Sequence, residues 1–178
     1  MIRVRHLNVH EAHTIADIDR SEHITLGYRF QDGKLSTEEV DWHVPRWTDD
    51  GLAEFNLGRR IEDLQTKIDS GYKVLAAFDD DAVVGYAVLC EMLSAGTAQL
   101  ADLFVSRKYR RCGIGTKLVS EMIGLAKASG AKKLYVSAVP SESAVGFYLK
   151  QGFKPTQDVH PELFALEPED IHMILELK

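Results

Sequence analysis

Seven consecutive residues, Arg110-Arg111-Cys112-Gly113-Ile114-Gly115-Thr116, stand between an apolar strand-like run, Leu100 to Val105, and an amphipathic helical pattern. A tight glycine-bearing turn that opens straight into a helix gathers unpaired backbone N–H groups at the positive end of the helix dipole, and here two arginines flank it. The chemistry this supports is binding of a phosphorylated or pyrophosphorylated ligand. The rival P-loop needs G-x-x-x-x-G-K-[ST], which Gly113 to Lys117 does not supply. The seven histidines, His10-x-x-His13 and His43 among them, lack a supporting carboxylate and cysteine arrangement, so no metal is expected. Trp42, His43, Pro45 and Trp47 form an aromatic cluster that either packs a loop or touches a substrate.

The elements that must position this turn belong to one domain, residues 1–178, long enough to bury a sizeable core with 45% hydrophobic and 27% charged residues. Net charge is −6, and Arg107 to Arg111 is the only basic run, which disfavours nucleic acid as a partner and suits a cationic substrate. Cys90 and Cys112 have neither zinc-ligand spacing nor a secretory leader ahead of them, which predicts a reducing, cytoplasmic setting. No apolar stretch approaches the roughly 18 residues of a membrane span, so no membrane is expected as a partner.

Alternation over Met1 to Leu7 predicts a strand, and Asn8 offers a cap to a helix through Ala12, Ile15, Ala16 and Ile18. Residues 21–70 are irregular apart from a helix predicted from about Leu57 to Ile68. Val74 to Phe78 and Val83 to Leu89, separated by three aspartates, predict an antiparallel pair. A strand over about Thr97 to Val105 precedes the glycine turn. The helix after the turn carries Leu118, Val119, Met122, Ile123 and Ala126 on one face and stops at Gly130. Leu134 to Val139 is a buried strand, Ser141 caps a short helix through Tyr148 that ends at Gly152, and Ile171 to Leu177 is a last strand. The order predicts a mixed α/β sheet flanked by helices.

Arg110-Arg111-Cys112-Gly113-Ile114-Gly115 resembles the Q/R-x-x-G-x-G/A signature of the GNAT superfamily of acetyl-CoA-dependent N-acetyltransferases. Ala144 to Phe153 is similar to that family's A-x-x-F-Y-x-x-x-G-F segment, and Leu103-Phe104-Val105 sits where its members run their cofactor strand. The motif-bearing match covers about residues 73–155, with 97–155 as the cofactor-binding core and 21–70 as the variable substrate side. The resemblance implies a central, mostly antiparallel sheet whose fourth and fifth strands (97–105 and 134–139) splay apart, with helices on both faces.

It also implies site residues. The diphosphate of acetyl-CoA would lie on the amides from about Arg111 to Thr116, beside Arg110, with Cys112 inside the turn and therefore too far from the acetyl group for an acyl-cysteine role. The pantetheine arm would pair with the backbone of Phe104 and Val105. Tyr148 would give a proton to the departing sulfur. Ser141 occupies the position where many relatives carry a CoA-contacting asparagine, and reads equally as a helix cap. Free alkyl ammonium titrates near ~10.4 and a thiol near ~8.5, so acyl transfer to an amine needs a base or a water chain. Many relatives have Glu-Asp before the Leu-x-Val strand. Here the pair is Ala101-Asp102, which leaves Asp102 as candidate base or as anchor for a cationic substrate, with Glu91 a weaker substitute; strict alternation would set 101 and 102 on opposite faces. The expected activity is direct N-acetylation of a small-molecule primary amine, leaning toward a polyamine-like or aminoglycoside-like acceptor. The alternatives are a protein N-terminus or lysine as acceptor, or an acyl-CoA sensor without turnover. An exposed final strand leaves a homodimer open.

Overall fold

The opening alternation forms β1 (Arg3–His6), and Asn8 caps the 3-10 helix Val9–Asp17 as expected. Its side chain accepts from the His10 N–H at 3.0 Å, while Glu11 reaches back to the Asn8 N–H at 3.1 Å, a reciprocal box that satisfies two donors. Ala12 and Ile15 are buried by this helix. The computed structural model describes residues 1–178.

Residues 22–44, read from sequence as irregular, are instead a hairpin of β2 (Glu22–Gln31) and β3 (Lys34–Val44), a two-stranded sheet of its own. Asp32 and Gly33 turn it with φ of +51° and +75°, the two positive values a type I′ turn requires. The hairpin docks on the main body where the Tyr28 N–H donates to the Pro140 carbonyl at 2.9 Å.

After the ribbon, α1 (Leu57–Asp69) starts at Asn56, whose side chain accepts from the Arg59 N–H at 2.9 Å. There follow β4 (Lys73–Asp79), β5 (Ala82–Ser94), β6 (Thr97–Val105), α2 (Ile114–Ala128) and β7 (Lys133–Ala138). A π-turn over Glu142–Gly146 leads into α3 (Phe147–Lys150), then β8 (Lys154–Pro155), α4 (Pro161–Leu166) and β9 (Ile171–Glu176). The seven-stranded sheet runs β1-β4-β5-β6-β7-β9-β8, antiparallel throughout except for β6 beside β7. One face carries α2 and Tyr148 over Leu89, Leu100, Leu134 and Met173; the other carries α1 and the 3-10 helix over Val74, Tyr86 and Val88. Helices therefore cover both faces, each closing its own apolar core.

The feature that matters for function is local. β6 and β7 pair only at Thr97, Ala98 and Gln99, and from Leu100 onward they diverge. The last strand is not an open edge: β9 lies between β7 and β8, with β8 along part of its outer side. No helix is long and apolar enough to cross a membrane.

Asp170, just before β9, is a partly buried carboxyl pushed up to about 7, first by burial and then by the charge of Glu167. A carboxyl raised in the fold stabilises fully below its unfolded value of 3.8 and loses that contribution as pH climbs through about 7. Asp170→Asn should therefore raise the melting temperature at pH 8 by a few degrees and leave it little changed near pH 4. A variant that melts no higher than wild type at pH 8 would contradict the burial assigned to this carboxyl.

Candidate active site

The turn expected to bind phosphate joins β6 to α2. Arg111 sits at φ +62° and Gly113, which caps α2 without any side-chain hydrogen bond, at φ +81°. A left-handed arginine costs about 1–3 kcal/mol, and an alanine at 113 would meet the same penalty. The strain has a visible product. The first protein-bonded amide after Arg110 is that of Lys117, donating to the Gly113 carbonyl, so the N–H groups of residues 111–116 have no acceptor within the protein. Six amides in a row at a helix N-terminus suit the oxygens of a diphosphate, so this donor set fits the CoA carrier.

Gly115 is needed for a different reason. A Cβ there would stand 3.3 Å from Cε2 of Phe147, whose ring closes over the first turn of α2. Gly115→Val should overpack that contact by about 1–3 kcal/mol and weaken CoA binding by about 10-fold with the fold retained. Titration calorimetry with an unchanged Kd would show that the turn tolerates displacement.

Arg110 does not point at a ligand. Its Nε donates to the Val105 carbonyl at 3.1 Å, one terminal nitrogen donates to the Arg20 carbonyl at 2.9 Å, and the other pairs with Glu22 at 3.1 Å. This arginine ties the end of β6 to the base of the hairpin. Cys112 is exposed, and Thr116 accepts from the Gln151 amide at 3.3 Å through its hydroxyl. Ser141 is buried and caps the π-turn, accepting from the Ala144 N–H at 3.2 Å; the cap half of its two readings is the one its contacts display.

Ladder phase decides which backbone groups line the gap. The Ser106 N–H donates to the Val84 carbonyl at 2.8 Å, and Phe104 pairs with Tyr86 in the same register. Alternation then turns the groups of Phe104 toward β5 and those of Leu103 and Val105 into the space between β6 and β7. Phe104 was expected to offer its backbone to a ligand; the ladder already engages it, and Leu103 takes its place beside Val105. With the Val105 carbonyl held by Arg110, the Val105 N–H and both groups of Leu103 face the gap.

Tyr148 is 6% exposed and packs edge-on against Phe147 and Phe153, at 5.3 Å between ring centroids in each case. No protein group bonds its hydroxyl, which nevertheless keeps access to solvent. Burial, and after it the negative charge of Asp102, holds the phenol well above its ordinary value, so it carries its proton across the working pH range.

Asp102 is the main departure from expectation. One carboxylate oxygen takes a hydrogen bond from Arg60 and the other from Lys67 Nζ at 2.9 Å; Asp63 closes the network 2.8 Å from Lys67 and 3.5 Å from Arg60. Burial opposes the charge on both cations, yet each pKa is raised: Asp102, by its charge and hydrogen bond, outweighs burial at Arg60, where the neutral Tyr86 hydroxyl also accepts, and does so at Lys67 with help from Asp63. Both oxygens are thus paired from inside the protein, with Arg60 and Lys67 in the place a cationic substrate would take. Glu91 is engaged as well, 3.5 Å from Lys73. The alternation argument also fails here. A bulge opposes Val88 to Asp102 and Leu89 to Leu100, making Ala101 the extra residue, and both Ala101 and Asp102 turn to the α1 face.

That face carries an aromatic box. Phe104 stacks with Tyr86 at 5.5 Å and meets Trp47 edge-on at 4.9 Å; Arg60 lies 4.9 Å over Phe104 and donates to the Tyr86 hydroxyl at 3.0 Å. Of the expected aromatic cluster, Trp47 is buried in this wall, while Trp42 stays on the hairpin surface. The histidines differ from expectation too. His23 and His43 stack across the hairpin at 4.2 Å with Asp41 bonded to His23 at 2.7 Å, so three donor atoms lie within 4.8 Å of one another on an exposed surface.

Residues 34–153 match the acetyltransferase (GNAT) family. The chain belongs to that family. Among curated relatives, N-alpha-acetyltransferase 50 of Danio rerio is 29% identical over 103 residues, 55% of this chain and 61% of that protein. The chain spans between 25% and 61% of the length of the first two curated relatives it matches. A nourseothricin acetyltransferase structure superposes with a TM-score of 0.73 at 18% identity, covering 99% of both chains. A Bacillus anthracis protein described as a streptothricin acetyltransferase, solved with acetyl coenzyme A, gives 0.75 at 18% identity over 100% of this chain and 99% of that one. These two likenesses establish a GNAT fold from one end of the chain to the other.

Proposed function

We propose that this GNAT protein transfers an acetyl group from acetyl-CoA to a primary amine of a small molecule by direct attack, both substrates being bound together. The observation that carries this reading is the row of six unpartnered amides at 111–116, set at the mouth of the gap between β6 and β7. Those amides take the diphosphate, and the exposed groups of Leu103 and Val105 bond the pantetheine amides as a neighbouring strand would. The bound thioester supplies an acyl carbon open to nucleophilic attack. The Val105 N–H polarises its carbonyl, and Tyr148 Oη donates a proton toward the leaving sulfur.

With Asp102 compensated and alanine at 101, the amine proton leaves to water. Catalysis then rests on positioning and on carbonyl polarisation. The same two residues favour a second reading, a CoA-binding sensor that has lost turnover. Incubation with acetyl-CoA and a panel of amines, following free thiol, separates them: amine-dependent thiol release supports transfer, and tight CoA binding without release for any amine supports the sensor.

A further inference from the structure

Arg20 is a cation without an ion-pair partner. Around the end of β6, Arg46, Arg60, Lys67 and Arg110 each lie within 4 Å of a carboxylate, whereas Arg20 makes no ion pair and its Nε is buried with no hydrogen-bond partner. Its guanidinium carbon lies 5.4 Å from the Trp47 ring, 5.4 Å from Phe55 and 5.7 Å from Phe104. Ring faces attract the charge but accept none of its five N–H donors in the way an oxygen does. Its position is fixed from behind, because its own carbonyl accepts from Arg110, which also holds the Val105 carbonyl. Burial, then the like charge of Arg60, press its pKa downward; Glu54 acts the other way from beyond ion-pair distance, and an arriving anion would offset what remains.

The location gives this cation a purpose. The phosphate turn and Tyr148 lie on the α2 face, so a donor threaded through the gap leaves the α1 face to the acceptor. On that face Phe104 is the direct neighbour of Val105, and Arg20 stands over Phe104. We propose that Arg20 binds a carboxylate of the acceptor, which makes the acceptor an amino acid or a related amine bearing a carboxylate. Trp47 and Phe55 flank its carbon skeleton. The proposal rests on the transfer reading above and replaces the cationic substrate that net charge suggested: Arg60 is matched by Asp102 and Asp63, but Arg20 has no paired carboxylate and would repel a cation beside the reacting centre. A planar guanidinium with free donors suits a bidentate carboxylate.

Two measurements on the full chain test it. In the first, thiol release is followed with amino acids and their carboxamides as matched acceptors, with 2-aminoethylphosphonate as the phosphorus-oxyanion arm. The acids are expected to show KM at least about 10-fold below the amides, since a site built for a charged hydrogen-bond partner discriminates strongly against its neutral analogue. Arg20→Met should erase that ratio with CoA affinity unchanged, and Arg20→Lys should restore part of it. Amides used as well as acids, or polyamines preferred, would overturn the proposal, and a preference for the phosphonate would reassign the anion.

The second measurement needs no turnover. In a Trp42→Phe background, Trp47 fluorescence is titrated with N-acetylated amino acids and with their amides in the presence of CoA. Saturable quenching by the acids, lost in Arg20→Met, supports the site even if every amine fails as a substrate, which would instead remove the transfer reading. Turnover of amines that lack a carboxylate, with no fluorescence response to acids, leaves transfer standing and removes the role of Arg20.

Discussion

Tyr148→Phe should lower turnover by about 10²–10³-fold while CoA Kd stays within about 2-fold of wild type. The ring is buried among Phe147 and Phe153, and phenylalanine keeps those contacts, so the change isolates the hydroxyl. That hydroxyl has no bond to the protein, so deleting it leaves no partner stranded. Its pKa is raised, first by burial and then by the charge of Asp102, so it still carries a proton at a pH where an alkyl amine begins to be free. Stopped-flow release of the thiol, compared with CoA titration calorimetry, separates chemistry from binding. Unchanged turnover would make Tyr148 a core aromatic and leave the thiolate to be protonated by solvent.

The second large effect is on stability. Asp102→Ala should cost about 3 kcal/mol, because it strands Arg60 and Lys67, whose side chains are only 18% and 23% exposed, without their shared carboxylate. For a chain of this size that corresponds to a fall in melting temperature of roughly 6–12 °C. Exchanging Asp102, Arg60 and Lys67 together for apolar residues of similar volume should recover most of the loss, since the one charge left behind, Asp63, is 45% exposed and can be hydrated. If Asp102→Ala melts like wild type but loses turnover, the carboxylate works in catalysis and its compensation by two cations is incidental.

The parts of this site legible in the sequence are those built from consecutive residues. Arg111 to Thr116 declares itself because amide donation depends on backbone shape and two glycines, all within one turn. Strands 73–79 and 82–94 are plain because both are apolar runs around a short acidic turn. The hairpin at 22–44 was missed although Asp32-Gly33 is a strong turn signal, since its strands mix histidine, glutamate and arginine with few apolar residues. Counting by twos could not see the bulge at Ala101, so it set Asp102 on the wrong face relative to its neighbour. The box of Arg20, Trp47, Phe55, Tyr86 and Phe104 draws on five separate stretches of chain. Only folding brings it together, and with it an arginine that lacks an ion-pair partner beside three aromatic rings in a chain of net charge −6.

The most direct test of the CoA site is amide NMR of nitrogen-15 labelled protein titrated with CoA and, separately, with pantetheine, which lacks the diphosphate. CoA should move the amide resonances of residues 111–116 together with those of Leu103 and Val105, and pantetheine should move only the latter pair. Saturation with CoA that leaves 111–116 in place would contradict a diphosphate cradle at this turn.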